Sequence, residues 1–416
     1  MNRNYPMTPE KEPDTKPRAG KMPTQDKPPI CVGRVDDIPE TPQLRRRPES
    51  LAEEERRAGI ATVVFSVTVA AVALFVCLLV AVMTVRTALP SQGNSKPNGT
   101  NAGTAEPTPS DSGTPLFTPG AAVLLKNGAN TKSISGINSN YAVLVDAQTG
   151  EILAGKDADT RFSPASMTKV MTLIVACENL KTGDLDKKVE YTEALSEYIK
   201  GKGLSTYGFK VGQCVRIEDL LVGIGVESAA DCVIMVVSYI CPAATPAESE
   251  AAFVELMNAE VQKMGLKNTQ FDNAAGDESN GNKSTASDIA AIMIYALGCE
   301  RIKEILSTRD ALFYLYDSAG NKDDTKRYFL STLYRTSDAD GSREWAYKTK
   351  YGNFQLNKLK FGGGKTGTLG EKPNYIYSLV SFATGGGKTY IVVTGETTVG
   401  ADVLKDAKTI YDNYIN

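Results

Sequence analysis

The sequence predicts a mixed α+β domain preceded by a single transmembrane helix. Three observations carry that prediction. Residues 58–85 hold no charged side chain; β-forming segments lie at both ends of residues 123–416; segments with helical apolar spacing fill the middle. Strands at both ends with helices between them imply an antiparallel sheet of N- and C-terminal strands, flanked by helices and joined to a helical subdomain.

The elements follow in order. Residues 1–57 are rich in Pro, Lys, Arg, Asp and Glu. Their apolar surface is too small to offset the entropy of ordering, so they read as a disordered tail. Residues 58–86 form the span, because an uncharged apolar run longer than about 20 residues crosses a bilayer. A cleaved signal segment would be shorter and nearer the start. Arg45, Arg46, Arg47, Arg56 and Arg57 precede the span, and only Arg86 and Lys96 follow closely. The positive-inside rule then makes the tail cytoplasmic and everything after the span extracytoplasmic. Residues 87–122, dominated by Pro, Gly, Ser, Thr and Asn, read as a flexible tether.

Residues 123–416 form the remaining domain. YAVLVDAQTGEILAGKD, from Tyr141, reads as strand, turn, strand around Gln148, Thr149 and Gly150. Residues 217–240 and 248–265 carry helical apolar spacing. Two strongly β-forming arms, 374–383 and 389–397, flank TGGGK and read as a hairpin. The last residues, from Ala401, form an amphipathic helix.

Composition narrows the function. A net charge of −3 gives no sign of a nucleic-acid partner. The chain has no histidine, which removes Ser-His-Asp and Cys-His catalysis and imidazole zinc sites. Its seven cysteines form no C-x-x-C pair, which argues against a zinc ribbon or thioredoxin-like site; no cofactor is expected. Cys31 and Cys77 fall outside the domain; Cys177, Cys214, Cys232, Cys241 and Cys299 are an odd set that cannot all pair internally, which leaves room for one or two disulfides but reads better as scattered buried thiols.

The chemistry centres on SPASMTKVMT, residues 163–172. Ser163 is the expected N-cap and Pro164 suits the first helical position, which puts Ser166 in the first turn. Lys169 is one turn on, within reach of Ser166. Val170, Met171, Leu173, Ile174 and Val175 bury the helix. A buried lysine needs a partner or a task. Burial and a nearby second cation disfavour its charged form and make it a base for a serine nucleophile. Ser-x-x-Lys alone is a weak signal, but two more stretches join it. GVESAADCV places Ser228 at the start or turn of a helix, and FGGGKTGTLG places Lys365, Thr366 and Gly367 just ahead of the terminal hairpin. Neither GGGKT copy is a phosphate loop, since the required earlier glycine is replaced by Leu359 and Phe382.

In order, SMTK, SAA and KTG resemble the three active-site motifs of penicillin-binding proteins and serine β-lactamases. Over about residues 138–416 the chain resembles the low-molecular-mass D-alanyl-D-alanine carboxypeptidases in particular, including GLKNTQFDNAAGDESNGNKSTASDIAAI. That resemblance implies a β-lactamase/transpeptidase-like domain. It implies Ser166 as acylated nucleophile, Lys169 as base and Ser228 as proton shuttle. Lys365, Thr366, Gly367 and Thr368 would form the substrate strand, with the N–H groups of Ser166 and Thr368 as oxyanion hole. The implied substrate is the D-Ala-D-Ala end of a peptidoglycan stem peptide. β-Lactams would be covalent inhibitors, and the bilayer would be met through residues 58–86.

Three departures stand out. Position 230 is Ala, where the family usually has the Asn of Ser-x-Asn, leaving Asp231 or Asn273 as candidate substitutes. Residues 316–361 are longer than usual and would add a loop near the cleft. The N-terminal span is expected to take the place of the C-terminal β-rich domain and anchor that many relatives carry. Asp288 reads as a structural helix-start charge and Gly276 as a turn former. A serine β-lactamase and a non-catalytic peptidoglycan-binding or sensor protein remain as alternatives.

Overall fold

The computed structural model describes residues 113–415, apart from 119, 278–280, 334–354 and 372. The expected tail, membrane span and most of the tether lie outside the described residues, among which no helix is long and apolar enough to cross a membrane. The chain runs β1 (Lys126–Ser133), β2 (Tyr141–Asp146), β3 (Glu151–Lys156), α1 (Thr168–Asn179), β4 (Lys188–Glu190), α2 (Glu193–Ile199), β5 (Cys214–Arg216), α3 (Ile217–Gly225), α4 (Ala230–Ile240), α5 (Pro246–Lys263), α6 (Ala286–Ala296), α7 (Glu300–Ser307), β6 (Asp310–Tyr316), β7 (Lys322–Leu330), β8 (Lys360–Leu369), β9 (Ile376–Gly385), β10 (Lys388–Thr397) and α8 (Asp402–Tyr414).

Strands from the two ends of the domain meet in one six-stranded sheet of order β1-β3-β2-β10-β9-β8. β2 pairs antiparallel with β10, Val143 opposite Val393 and Leu144 opposite Val392. Side chains alternate across the sheet. Val143, Val145, Val380, Phe382, Ile391 and Val393 enter the main core with the helices. Ala142, Leu144, Leu379, Ala383 and Val392 pack under α8 against Val403, Leu404, Ala407 and Ile410. Both faces of the central strands are therefore covered, which is why β2 reads as an almost unbroken apolar run. The β9–β10 connection is Gly386–Gly387, with φ of +59° and +77°. Two consecutive positive φ values define the tight hairpin turn whose twist matches its strands.

The sequence did not reveal a second, four-stranded sheet of order β4-β5-β6-β7. β4 and β5 are three residues long, too short to show a period, and β7 is mostly charged (KDDTKRYFL). An aromatic cluster anchors this sheet: Phe313 stacks on Phe329 at 4.0 Å, and Tyr207 meets both edge-on. β7 thus occupies part of the expected long loop, and 334–354 lie outside the described residues.

One local expectation holds and one needs correction. The apolar spacing over 217–240 is carried by two helices, α3 and α4, and Ser228, whose φ is +62°, lies in the turn just before α4, as GVESAADCV suggested. The Glu227 carboxylate accepts the Leu330 N–H at 2.6 Å, and the Ala229 N–H reaches the Gly223 carbonyl at 3.2 Å. These bonds replace helical ones and turn Ser228 out of the helix. Ser163, by contrast, is not a cap. A 3₁₀ turn, Ala165–Met167, precedes α1, flanked by Pro164 with no side-chain capping bond.

Candidate active site

Ser166 sits in that 3₁₀ turn rather than in α1. The preceding residue, Ala165, has φ +49°, a conformation that costs a non-glycine residue about 1–3 kcal/mol and persists only where neighbours impose it. Two neighbours do so. A Cβ on Gly276 (φ +73°) would stand 2.0 Å from the Ala165 carbonyl oxygen, and one on Gly367 would stand 2.9 Å from that of Pro164. Both glycines let backbone press against the serine turn.

Lys169, in the first turn of α1, is 1% exposed. Its Nζ lies 3.0 Å from Ser166 Oγ and donates to the Ala275 carbonyl at 2.5 Å. Burial lowers its pKa from 10.5 to about 7, although Asp277, Asp231 and Glu250 pull it upward. The Ala275 carbonyl is held in place by its neighbours. Asn273 Oδ1 accepts the N–H groups of Gly276 and Asp277. Asn282 accepts the N–H groups of Asp272 and Asn273 and donates to Thr168 Oγ1 at 3.1 Å.

The second Lys–Ser pair mirrors the first. Lys365, on β8 and fully buried, donates to Ser228 Oγ at 2.9 Å and to the Thr366 carbonyl at 3.1 Å. Burial, and then the charge of Lys169, hold it well below the usual lysine range. Thr366 Oγ1 is 2.7 Å from Thr332 Oγ1. A cavity of about 320 Å³ opens over this group, lined among others by Ser166, Ser228, Asp277, Thr332, Thr366 and Thr368. β8 is the edge strand of its sheet, the kind of strand along which an extended peptide can pair.

The structure thus brings Ser166, Lys169, Ser228, Lys365, Thr366, Gly367 and Thr368 to one cleft or its floor. It does not free either expected substitute for the missing asparagine. Ala230 is buried at the start of α4 and donates its N–H to the Ser205 carbonyl at 2.8 Å. The Asp231 carboxylate holds the N–H groups of Tyr207, Gly208 and Phe209, anchoring that loop. The Asn273 carboxamide is spent on the 273–277 turn, its Nδ2 donating to the carboxylates of Asp272 and Asp277. Asp288 accepts the Asn268 N–H and the Thr269 hydroxyl, a loop anchor, while Thr285 caps α6.

Sequence reasoning missed the Ala275 carbonyl and Thr332. A backbone acceptor leaves no side-chain signature, and Thr332 is 34 positions from the threonine it touches. Cys177, Cys214, Cys232, Cys241 and Cys299 are all unpaired thiols.

A family model described as D-alanyl-D-alanine carboxypeptidase matches residues 128–398. Among curated relatives, D-alanyl-D-alanine carboxypeptidase DacF of Bacillus subtilis is 30% identical over 202 residues, covering 49% of each chain. DacA of Escherichia coli is 34% identical over 160 residues, covering 38% of each. The chain spans about half or less of the length of these two relatives. The D-alanyl-D-alanine carboxypeptidase of Streptomyces sp. strain K15 is 29% identical over 256 residues, 61% of this chain and 79% of that protein. The crystal structure of the Streptomyces K15 DD-transpeptidase superposes with a TM-score of 0.56 at 26% identity, covering 68% of this chain and 100% of that one.

Proposed function

Because this chain belongs to the D-alanyl-D-alanine carboxypeptidase family, we propose that it is a membrane-anchored serine D,D-carboxypeptidase. It removes the terminal D-alanine of peptidoglycan stem pentapeptides through a Ser166 acyl-enzyme. The observation that carries the reading is the contact of Ser166 Oγ with a buried Lys169 whose pKa lies near 7. A neutral amine has a lone pair to receive the serine proton, which an ordinary lysine lacks at that pH.

The proposed cycle uses the contacts described above. The substrate lies along the edge of β8, its carboxylate toward the hydroxyls of Thr366 and Thr368, with Lys365 beneath them holding Ser228. Ser166 Oγ attacks the penultimate carbonyl as its proton passes to Lys169. The N–H groups of Ser166 and Thr368 receive the oxyanion. Ser228, held by Lys365, relays a proton to the departing D-alanine nitrogen, and water then frees Ser166. Burial keeps at least one of the two lysines neutral, because two ammonium groups in one dry site disfavour each other. A penicillin acylates the same serine and leaves slowly. Residues 58–86 anchor the chain, with the catalytic domain on the extracytoplasmic side.

Fluorescent-penicillin labelling of the chain and of Ser166→Ala, followed by mass analysis of a pentapeptide digest, tests the proposal. The expected result is an adduct on the wild type alone and loss of one alanine from the peptide. Rapid penicillin turnover would point to a β-lactamase, and no adduct to a binding or sensor protein. A second product class is worth following, because the structural neighbour is a DD-transpeptidase. Adding an acceptor amine to the digest distinguishes transfer from hydrolysis.

A further inference from the structure

We propose that Thr332 is a positioning residue for carboxylate recognition: its hydroxyl donates to Thr366 Oγ1 and so aims the Thr366 proton into the cleft. This rests on the reading of the cleft as a stem-peptide site. The two oxygens are 2.7 Å apart, and both residues line the cavity. A threonine hydroxyl has one proton and two lone pairs. If Thr366 gives its proton to a substrate carboxylate, it can only accept from Thr332, and Thr332 then donates. In that direction the Thr332 dipole also strengthens Thr366 as a donor, as chained hydrogen bonds do.

Thr332 is fixed well enough for the task. Its N–H donates to the Val226 carbonyl at 3.1 Å, and the Ser331 N–H to that of Arg309 at 2.7 Å. The Leu330 N–H is held by the Glu227 carboxylate and the Leu333 N–H by Ser331 Oγ. Glu227 is the neighbour of Ser228. The segment that presents Thr332 is therefore stitched to the α3–α4 connection that presents Ser228, and the Thr332–Thr366 bond joins that connection to β8. Without this bond the Thr366 hydroxyl rotates freely and spends part of its time pointing away from the substrate.

The test compares the wild type with Thr332→Val, which keeps the shape and deletes the hydroxyl, Thr332→Ser, which keeps the hydroxyl, and Thr332→Ala, which carries the comparison if the valine misfits. Each is acylated by a penicillin bearing its free carboxylate and by the methyl ester of the same penicillin. Loss of an aligned, charge-assisted bond is expected to lower the acid-to-ester rate ratio about tenfold in Thr332→Val and Thr332→Ala. Thr332→Ser should stay within about twofold of wild type. A merely structural role would slow both compounds alike and leave the ratio unchanged, which overturns the proposal. A ratio that rises overturns it too, because it means Thr366 was donating to Thr332. A wild type acylated by neither compound removes the underlying reading of the cleft, a failure distinct from an acylated wild type whose ratio ignores Thr332.

Discussion

Replacing Lys169 with Met should make the protein inactive and, near neutral pH, more stable. Holding the Lys169 pKa near 7 instead of 10.5 corresponds to roughly 5 kcal/mol of native-state penalty on the charged form. The unfolded chain keeps its lysine protonated up to about pH 10.5, whereas the folded chain releases that proton above about 7. Between those limits the unfolded state binds more protons, so wild-type stability rises with pH and the penalty fades. At pH 7 about 4 kcal/mol of it remains. Methionine removes this penalty but leaves the Ala275 carbonyl without its donor, at a cost of about 1–3 kcal/mol. The net expectation is a variant about 1–3 kcal/mol more stable than wild type at pH 7, with the advantage gone or reversed by about pH 10. Urea unfolding of both proteins at several pH values from about 6 to about 10 measures it. A variant less stable at pH 7, or a stability gap that does not change with pH, would refute the argument that burial of Lys169 activates it.

Three further outcomes are expected. The rate of penicillin acylation should rise with pH and level off above about 7, because only neutral Lys169 accepts the Ser166 proton; an acid limb in the ordinary carboxylate or lysine range would assign the base elsewhere. Ala230→Asn should raise the acylation rate about tenfold, since neither Asp231 nor Asn273 is free to supply the missing carboxamide. An unchanged rate in stopped-flow labelling means that the carboxamide is not limiting. Gly276→Ala, with a Cβ 2.0 Å from the Ala165 carbonyl, should cost about 2–4 kcal/mol in urea unfolding. It should also depress acylation by displacing the serine turn, and a variant equal to wild type in both would show that this packing does not shape the site.

Much of the site was legible because its chemistry is local. Ser166 and Lys169 are one turn apart, so sequence spacing alone puts them within reach. Lys365, Thr366, Gly367 and Thr368 are consecutive on one strand, and the two strand-rich ends announce a shared sheet through their apolar runs. The errors arose where distant contacts override local preference. Ser163 looks like a cap, but Gly276 and Gly367 press the backbone of Pro164 and Ala165 into a tighter turn. The apolar spacing over 217–240 does not show where the helix breaks; Glu227 is drawn to Leu330 and Ser228 is turned out.

The sequence by itself therefore determined the order of the motifs, the sharing of one sheet by both ends of the domain and the choice of serine and lysine in a chain without histidine. These depend on residue type, short-range spacing and apolar period. The parallel pairing of β1 with β3 makes that sheet mixed rather than wholly antiparallel. Only the tertiary structure decided that Lys365 meets Ser228 across 137 positions, and that the Ala275 carbonyl and Thr332 belong to the site. It also decided that Asp231 and Asn273 are occupied elsewhere. A lysine becomes a base when packing strips its water away, and Lys169 meets Ala275 across 106 positions of sequence. Desolvation and long-range pairing exist only once the chain has folded.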